Sequence, residues 1–188
     1  MKVLVPTDLS PTATSGLKYA LSFLNNYKGG SIHVLHVVEN ESLRGDAQDR
    51  LDTLCALNHA NHTTITSHIT VGDFEEEIGA FAITHACNLV IMATKGVHGI
   101  QKLIGSRALK IISESTTPFI VTQREVHDDE VLDRIAVPIT LEREDKKILS
   151  TVAAIAAPLK AAVLLIYEDK TDEYLAATIS RNLNFAKS

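Results

Sequence analysis

The sequence predicts an α/β protein: a five-stranded, parallel, open sheet with helices on both faces, followed by a partial second copy of the same arrangement. Three observations support this fold class. Short apolar runs alternate along the chain with amphipathic segments of helical period. A loop with three glycines separates one apolar run from the amphipathic segment that follows it. A stretch near residue 135 repeats the pattern of the N-terminus.

The first 38 residues predict a strand, a helix and a second strand. Val3–Val5 is a short apolar strand. Ser10 and Pro11 then form a strong helix start, because serine caps the first turn and proline suits its first position. The apolar positions of this helix recur at the spacing of one helical face: Leu17, Ala20, Leu21 and Leu24. The pair Gly29-Gly30 is expected to end the helix, and Ile32–Val38 is apolar enough for a strand buried on both faces.

The next segment predicts a helix, a strand and another helix. Residues 42–61 are polar and predict a helix with one packed side, formed by Leu51, Leu54, Cys55 and Leu57. Thr64–Val71 alternates in polarity, as a half-buried strand does. Asp73 is placed to cap the following helix. The inner face of that helix is Phe74, Ile78, Phe81 and Ala82.

The last elements of the first copy are a strand at Leu89–Met92, a helix over residues 106–113 and a strand at Pro118–Thr122. Strands that alternate with helices form a parallel sheet. In such sheets ligands bind at the carboxyl ends of the strands, where the strand order switches direction. We therefore expect the functional site at that edge.

The loop after Leu89–Met92 has the composition of a phosphate-binding loop. It carries Gly96, Gly99 and Gly105, and Ser106 opens the helix that follows. Glycines let the backbone approach an anion closely, and a helix N-terminus offers unpaired N–H groups and a favourable dipole. The stretch therefore predicts a site for a phosphate group.

The composition is that of an ordinary globular protein. The chain has 188 residues, of which 45% are hydrophobic and 22% are charged. Its net charge of −5 gives no electrostatic support to nucleic-acid binding. No apolar run approaches the roughly 18 residues of a membrane helix, and the apolar stretch at the N-terminus is too short for a signal peptide. We expect neither a nucleic-acid nor a membrane partner.

The two cysteines indicate a reducing compartment. Cys55 and Cys87 lack the spacing of a metal-binding pair, so we expect reduced thiols in a cytoplasmic protein. Cys55, His59 and His62 recur at helical spacing, but a fourth ligand for a closed site is lacking. We expect no metal site.

The chain starts again after a charged linker. Ile135-Ala-Val-Pro138 echoes Val3-Leu-Val-Pro6, and aligning the two prolines gives an offset of 138 − 6 = 132 residues. We predict a first domain over 1–123, a linker over 124–132 and a partial second domain over 133–188. A truncated or proteolysed chain is the simplest interpretation, because a natural half-domain would leave an open sheet edge.

Four short motifs follow one another on the predicted elements. They are Val5-Pro-Thr-Asp8-Leu-Ser10 after the first strand, Leu35-His-Val-Val38 in the second, Met92-Ala-Thr-Lys-Gly96 after the fourth, and Gly105-Ser106 before the last helix. Through them, residues 1–123 resemble the universal stress protein family, and the duplication resembles its tandem members. The resemblance implies a five-stranded α/β fold, frequent dimerisation through the last strand and, in some members, binding of ATP.

The resemblance also implies which residues would bind ATP or a related adenine nucleotide. They are Thr7, Asp8, Val37, Met92, Ala93, Lys95, Gly96, Gly105, Ser106, Arg107 and Ala108. Thr7, Asp8 and the backbone of Val37 would surround the adenine and ribose. Gly96 and the start of the last helix would hold the phosphates, with charge added by Lys95.

The family's nucleotide pattern, Gly-x2-Gly-x9-Gly-(Ser/Thr), is altered in this chain. Ala93 stands at the first glycine position, and only eight residues separate Gly96 from Gly105. A methyl group at Ala93 is expected to crowd a phosphate or to forbid a positive φ. The second copy has Thr140 where the first has Asp8, so no nucleotide is expected there.

Three functions fit these observations. The first is a regulatory protein that binds a nucleotide with little turnover, and the second is an interaction or scaffold protein of the same fold that binds none. A slow ATP hydrolase is the weakest, because the chain has no Gly-x4-Gly-Lys-(Ser/Thr) loop and no nucleophile with a paired base. Association through Pro118–Thr122, as a homodimer or within a tandem chain, is expected because this strand has an apolar open edge.

Several candidate residues also have purely structural explanations. Asp8 can order the loop after the first strand, and Ser106 can act as a helix cap. His33 and His36 lie in an apolar strand and are interpreted as core or edge histidines.

Overall fold

A computed structural model describes residues 1–27, 29–58, 62–94, 106–122, 132–141, 145–169 and 171–187. The chain divides into two compact units, Met1–Glu130 and Val131–Ser188. The predicted boundary at residue 123 and most of the predicted linker lie outside the described residues.

In its described residues, the first unit is a parallel five-stranded sheet with four α-helices and a short 3-10 helix at Glu41–Leu43. The strands are β1 (Lys2–Pro6), β2 (Gly30–Val38), β3 (Thr63–Val71), β4 (Leu89–Ala93) and β5 (Phe119–Thr122). The helices are α1 (Pro11–Leu24), α2 (Arg44–Leu57), α3 (Phe74–Thr84) and α4 (Ser106–Glu114). The strand order is β3-β2-β1-β4-β5, with every neighbouring pair parallel. The predicted fold class is confirmed.

Two helices begin where the sequence predicts a cap. Ser10 Oγ accepts a hydrogen bond from the N–H of Ala13 at 3.2 Å. Asp73 Oδ1 accepts from the N–H groups of Glu75 at 2.8 Å and Glu76 at 3.2 Å. These side chains satisfy N–H groups that have no partner within the helix, and so they determine where α1 and α3 start.

Helices cover both faces of the sheet. Right-handed crossovers place α1 and α2 on one face and α3 and α4 on the other. On the second face, one cluster of buried side chains joins the strands to both helices: Leu4, Leu35, Ile78, Phe81, Ala82, Cys87, Val90 and Ile111. This apolar layer is the main source of stability for that side of the sheet.

Three local predictions about the first two helices are wrong. Leu21 is only partly buried, and Phe23 is buried instead. Leu57 is 76% exposed and is the last residue of α2, and residues 59–61 of the predicted helix lie outside the described residues. The helix α1 ends at Leu24, ahead of the Gly29-Gly30 pair that was expected to stop it.

The second unit repeats the first four elements of the first. It contains β6 (Arg134–Ile139), α5 (Asp145–Leu159), β7 (Ala162–Tyr167) and α6 (Glu173–Lys187). Lys2 pairs with Ser31 in the first unit (31 − 2 = 29), and Arg134 pairs with Ala162 in the second (162 − 134 = 28). The repeat therefore has one residue fewer between paired positions. Within the described residues of both units, no helix is long and apolar enough to cross a membrane.

One face of the two-stranded sheet in the second unit is open. Alternate residues on this face are exposed: Ala136, Pro138, Ala162, Leu164 and Ile166. On the opposite face of β6, Val137 and Ile139 are buried. In the first unit the corresponding face is covered by α3 and α4, which have no counterpart among the described residues of the second unit.

Candidate functional site

The strand order of the first unit switches direction between β1 and β4. The ladder that joins these strands pairs only Val3 with Leu89 and Leu4 with Val90, although the strands continue to Pro6 and Ala93. The carboxyl ends of β1 and β4 are therefore not paired with each other in this ladder. A crevice at such a switch point is where open parallel sheets bind ligands.

The loop after β1 forms one wall of this crevice. Thr7 is 2% exposed, and its hydroxyl oxygen accepts a hydrogen bond from the N–H of Leu9 at 3.0 Å. Asp8 is exposed, and its Oδ1 accepts from the N–H of Ser10 at 2.9 Å. Leu9 has a φ of 60°, a conformation that leucine rarely adopts. The loop is thus held in a strained, specific conformation that places a carboxylate at the carboxyl edge of the sheet.

His36 attaches this loop to β2. Its Nδ1 lies 2.8 Å from the carbonyl oxygen of Thr7, and since a carbonyl only accepts, Nδ1 carries the hydrogen. The N–H of Thr7 donates to the carbonyl oxygen of Leu35 at 2.8 Å. Sequence reasoning interpreted His36 as a core or edge histidine and missed this contact. Its position at the end of an apolar strand, inside a family motif, was the available signal.

Val37 lies at the end of the neighbouring strand. It pairs with Thr70 in the β2–β3 ladder, and its side chain packs against the buried cluster beneath α3. Its backbone, rather than its side chain, is therefore the part that lies at the carboxyl edge.

Ala93 ends β4 on the other side of the crevice. It pairs with Thr122 of β5 and is not one of the described residues with positive φ. The backbone at this position does not require a glycine. The expectation that alanine would be excluded here by a positive φ is therefore wrong. Its methyl group lies close to α1, because a Cβ added to Gly16 would be 3.4 Å from Ala93 Cβ. Met92, the residue before it, is buried at 7% exposure.

Thr94 follows β4 and was not among the predicted site residues. Its N–H donates to the carbonyl oxygen of Thr122 at 2.9 Å. Its hydroxyl oxygen is buried and has no hydrogen-bond partner within the described part of the chain. A buried hydroxyl without a partner is costly, and this one lies directly before the glycine loop.

The phosphate-binding part of the predicted site is only partly described. Lys95, Gly96 and Gly105 lie outside the described residues. Ser106, Arg107 and Ala108 form the first turn of α4, as their predicted place at a helix N-terminus requires. That N-terminus follows β4, so it belongs to the same edge as Asp8.

An ion pair joins α4 to the start of α3. Lys110 Nζ lies 2.7 Å from Glu75 Oε2, and this hydrogen bond raises the pKa of Lys110. Because half of the lysine side chain is exposed, the pair orients α4 more than it stabilises the fold.

Neither cysteine has the properties of a ligand or nucleophile. Burial raises the pKa of Cys55 to about 11, with a further contribution from Asp52, and burial raises the pKa of Cys87. The helix α2 ends at Leu57, so His62 lies beyond the helix that contains Cys55, and residue 59 lies outside the described residues. Across the described ranges, no three His, Cys, Asp or Glu side chains are placed to hold a metal ion.

The second unit differs at the position that corresponds to Asp8. Thr140 follows β6 there, and its carbonyl oxygen accepts a hydrogen bond from Asn182 Nδ2 at 2.9 Å. A side chain from α6 thus lies against the corresponding loop, and no carboxylate occupies that position.

Comparison with known proteins agrees with the fold and the motifs. A sequence model of the universal stress protein family matches residues 1–54 and 40–123. The chain is 22% identical over 140 residues to universal stress protein MJ0531 of Methanocaldococcus jannaschii. The aligned region covers 65% of this chain and 82% of that protein.

Solved structures show the same fold at low identity. A universal stress protein from Archaeoglobus fulgidus aligns with 99% of this chain and 72% of its own, with a TM-score of 0.68 and 16% identity. A universal stress protein in complex with cAMP has a TM-score of 0.51 at 18% identity, covering 65% of this chain and 96% of that one. An Arabidopsis thaliana family member with AMP bound has a TM-score of 0.50 at 16% identity, covering 70% and 95%.

Proposed function

Because this chain belongs to the universal stress protein family, we propose that its first unit binds ATP or a related adenine nucleotide at the carboxyl edge between β1 and β4. Thr7, Asp8 and the Val37 backbone receive the adenine and ribose, with the Asp8 carboxylate accepting from a ribose hydroxyl. Lys95, Gly96, Gly105 and the first turn of α4 receive the phosphates.

The observation that carries this proposal is the end of the β1–β4 ladder at Leu4 and Val90, before either strand ends. Asp8 and Thr94 follow the carboxyl ends of these two strands. The Thr94 hydroxyl, buried without a partner among the described residues, supplies a polar group that a ligand can satisfy.

Two further observations support the proposal. The Ala93 methyl group lies beside Gly16 of α1. The altered glycine position is therefore compatible with a phosphate in the loop. Two proteins of similar fold are seen with cAMP and with AMP, both adenine nucleotides.

The role that follows is regulatory rather than catalytic. A bound nucleotide at this site meets no described nucleophile with a paired base, and so we propose a nucleotide sensor with little or no turnover. We propose no nucleotide site in the second unit, where Thr140 replaces the carboxylate. The free thiols Cys55 and Cys87 are consistent with a cytoplasmic protein.

Members of this family commonly form dimers. For this chain we propose pairing through the strand Pro118–Thr122, because β5 is the last strand of the sheet and has a neighbour on one side only within the described residues. Whether the partner is a second copy or a tandem domain is decided by the length of the chain in the cell.

An interaction protein of the same fold that binds no nucleotide is the second candidate. The exposed apolar face of β7, with Leu164 at 47% and Ile166 at 57% exposure, favours it. Titration with nucleotide distinguishes the two functions.

Isothermal titration calorimetry with ATP, ADP and AMP tests the nucleotide site, using the intact chain and two matched variants. Asp8→Asn keeps the oxygen that accepts from Ser10 but removes the charge, so we expect affinity to fall about ten- to a hundredfold. Asp73→Asn makes the same change at the carboxyl end of β3, away from the crevice, and should leave affinity unchanged.

No detectable heat with any of the three nucleotides at millimolar concentration would contradict nucleotide binding and favour the interaction protein. Binding that is equally strong in wild type and Asp8→Asn would place the nucleotide elsewhere on the protein.

A further inference from the structure

Three histidines from three different elements meet on the face of the sheet that α3 covers. We call His33 of β2, His68 of β3 and His85, which directly follows α3, the histidine cluster. Their ring centroids lie 5.0 Å apart for His33–His68, 5.6 Å for His33–His85 and 5.5 Å for His68–His85. The cluster lies toward the end of α3 opposite its cap, so the proposed nucleotide site does not use it.

An aromatic ring of the core supports the cluster. Phe81 stacks on His85 with ring centroids 3.7 Å apart and planes inclined by 11°. It also presents its face or edge to His33 at 5.9 Å and to His68 at 4.8 Å. Phe81 belongs to the buried cluster beneath α3, so a movement of the imidazoles also disturbs the packing of the core.

The hydrogen bond between His33 and His68 requires that at least one of the two imidazoles stays neutral. His33 Nδ1 and His68 Nε2 are 2.8 Å apart, so one of them carries a hydrogen and the other offers its lone pair. Full protonation of both rings would put two N–H groups against each other. His85 Nδ1 lies 3.2 Å from the carbonyl oxygen of Phe81 and donates to it. Protonation of both His33 and His68 therefore breaks this side-chain contact between β2 and β3.

The groups that face His33 add to this effect. From β1, Lys2 Nζ donates to the carbonyl oxygen of His85 at 2.7 Å, which holds an ammonium group beside the cluster. From β3 and from the end of α3 come His68 and His85, and both become cationic when protonated. Cys87, which follows the cluster in the chain, has a pKa raised by burial and remains a neutral thiol. The described neighbours thus repel a positive charge on His33.

The pKa values of the two strand histidines, His33 and His68, are both lowered, which agrees with this repulsion. Burial, followed by the charges of His68, His85 and Lys2, lowers the pKa of His33 from 6.5 to about 4. Burial and the charge of His85 lower the pKa of His68. Below about pH 6.5 these histidines bind more protons in the unfolded chain than in the folded one. The stability that depends on neutral histidines is complete above that pH and is lost as the pH falls toward 4.

We infer that the histidine cluster is an acid-responsive latch, which holds the edge strand β3 and the end of α3 to the sheet near neutral pH and releases them in acid. The strand β3 is the place where release occurs, because among the described strands it lies at the edge of the sheet and pairs with β2 alone. The His33–His68 contact crosses that single ladder.

Urea unfolding at several pH values between 7.5 and 4.5 tests the latch. The variant His33→Asn/His68→Gln keeps amide groups near the two bonded nitrogens and removes both titrations, while His62→Asn changes an exposed histidine outside the cluster. In wild type we expect the unfolding constant to rise severalfold, at most about tenfold per histidine, for each pH unit below 6.5. The double variant should show a much shallower rise, and His62→Asn should follow wild type.

Two measurements on the wild-type chain keep the inference testable if the double variant does not fold. Hydrogen exchange, corrected for the intrinsic pH dependence, should show amides of β3 and the last turn of α3 losing protection before those of β1 and β4 at pH 5. Nuclear magnetic resonance of the imidazole C–H groups should show His33 still neutral at that pH. A His33 that titrates near 6.5, or a loss of protection spread evenly over the sheet, overturns the latch. So does a double variant whose acid sensitivity equals that of wild type.

Discussion

Gly16 of α1 lies directly against Ala93, the last residue of β4: a Cβ built on Gly16 would be 3.1 Å from the backbone nitrogen of Ala93 and 3.4 Å from its Cβ. Helix and strand therefore touch almost backbone to backbone at the edge of the sheet where the proposed nucleotide binds. The lack of a side chain at residue 16 allows β4 to carry a methyl group at residue 93.

Replacing Gly16 by alanine should lower the free energy of unfolding by about 1 kcal/mol, because the nearest atom to the new methyl group is the backbone of a paired strand. Gly79→Ala in α3 is the matched control, since its added Cβ meets nothing within 4 Å. It should raise the unfolding free energy by about 0.5–1 kcal/mol through helix propensity. Urea denaturation of both variants measures the difference, and equal stabilisation would show that α1 can move away from β4.

The Asp73 cap of α3 should contribute about 1 kcal/mol to the free energy of unfolding. Asp73→Ala removes the acceptor of two N–H groups at 2.8 and 3.2 Å, and it also removes a negative charge from the positive end of the helix dipole. Asp73→Asn keeps the acceptor and should cost less than half as much. Thermal unfolding followed by circular dichroism separates the two variants. If both cost the same, the charge and not the hydrogen bond defines the start of α3.

The Thr7 loop should depend on the hydrogen bond from His36. His36→Phe removes the donor to the Thr7 carbonyl oxygen at 2.8 Å, whereas His36→Asn retains an N–H donor of similar reach. We expect His36→Phe to weaken nucleotide binding severalfold through misplacement of Asp8, with affinity largely restored in His36→Asn. Calorimetric titration provides the measurement. Equal loss in both variants would indicate that ring shape rather than the hydrogen bond holds the loop.

Cys55 should react slowly with iodoacetamide. Its pKa is raised by burial to about 11, so at pH 8 only about one molecule in a thousand carries the reactive thiolate, and the rate should rise steadily with pH up to that value. Mass spectrometry of the alkylated chain gives the rate, with the urea-unfolded chain as control. Folded and unfolded chains that react equally fast at pH 8 would contradict the burial of this thiol.

The two faces of the β6–β7 sheet should respond differently to the same substitution. Ile166→Thr changes a side chain that is 57% exposed and should alter the unfolding free energy by less than about 0.5 kcal/mol. Ile139→Thr changes one that is 3% exposed in the neighbouring strand and should cost about 1–3 kcal/mol. Hydrogen exchange within the second unit reports both. A large loss from Ile166→Thr would show that something covers the open face in solution.

Much of the fold follows from local signals in the sequence. Ser10 and Asp73 each determine a helix start through hydrogen bonds to residues two or three positions away, so a sequence pattern suffices to find them. The packed positions are harder to predict. Leu57 has the right spacing for a buried face, but the end of α2 leaves it exposed. Helix ends depend on where the sheet stops, which a helical period does not contain.

The candidate site was predictable in place but not in detail. Asp8 and Ser106 lie at the same sheet edge because parallel strands with right-handed crossovers bring their carboxyl ends together. The contacts of His36 with Thr7 and of Thr94 with Thr122 were not predictable, because each joins residues 28 or 29 positions apart through strand register (36 − 7 = 29; 122 − 94 = 28).

The sequence by itself determined the fold class, the helix caps, the family motifs and the duplication. All of these are encoded over short stretches or by direct repetition. Only the tertiary structure decided that the Ala93 methyl group lies beside Gly16, that His33 meets His68 and His85, and that Leu164 and Ile166 of β7 are exposed. Such contacts depend on strand order and on how closely helices pack against the sheet. These are set by the free energy of the whole core rather than by the preferences of neighbouring residues.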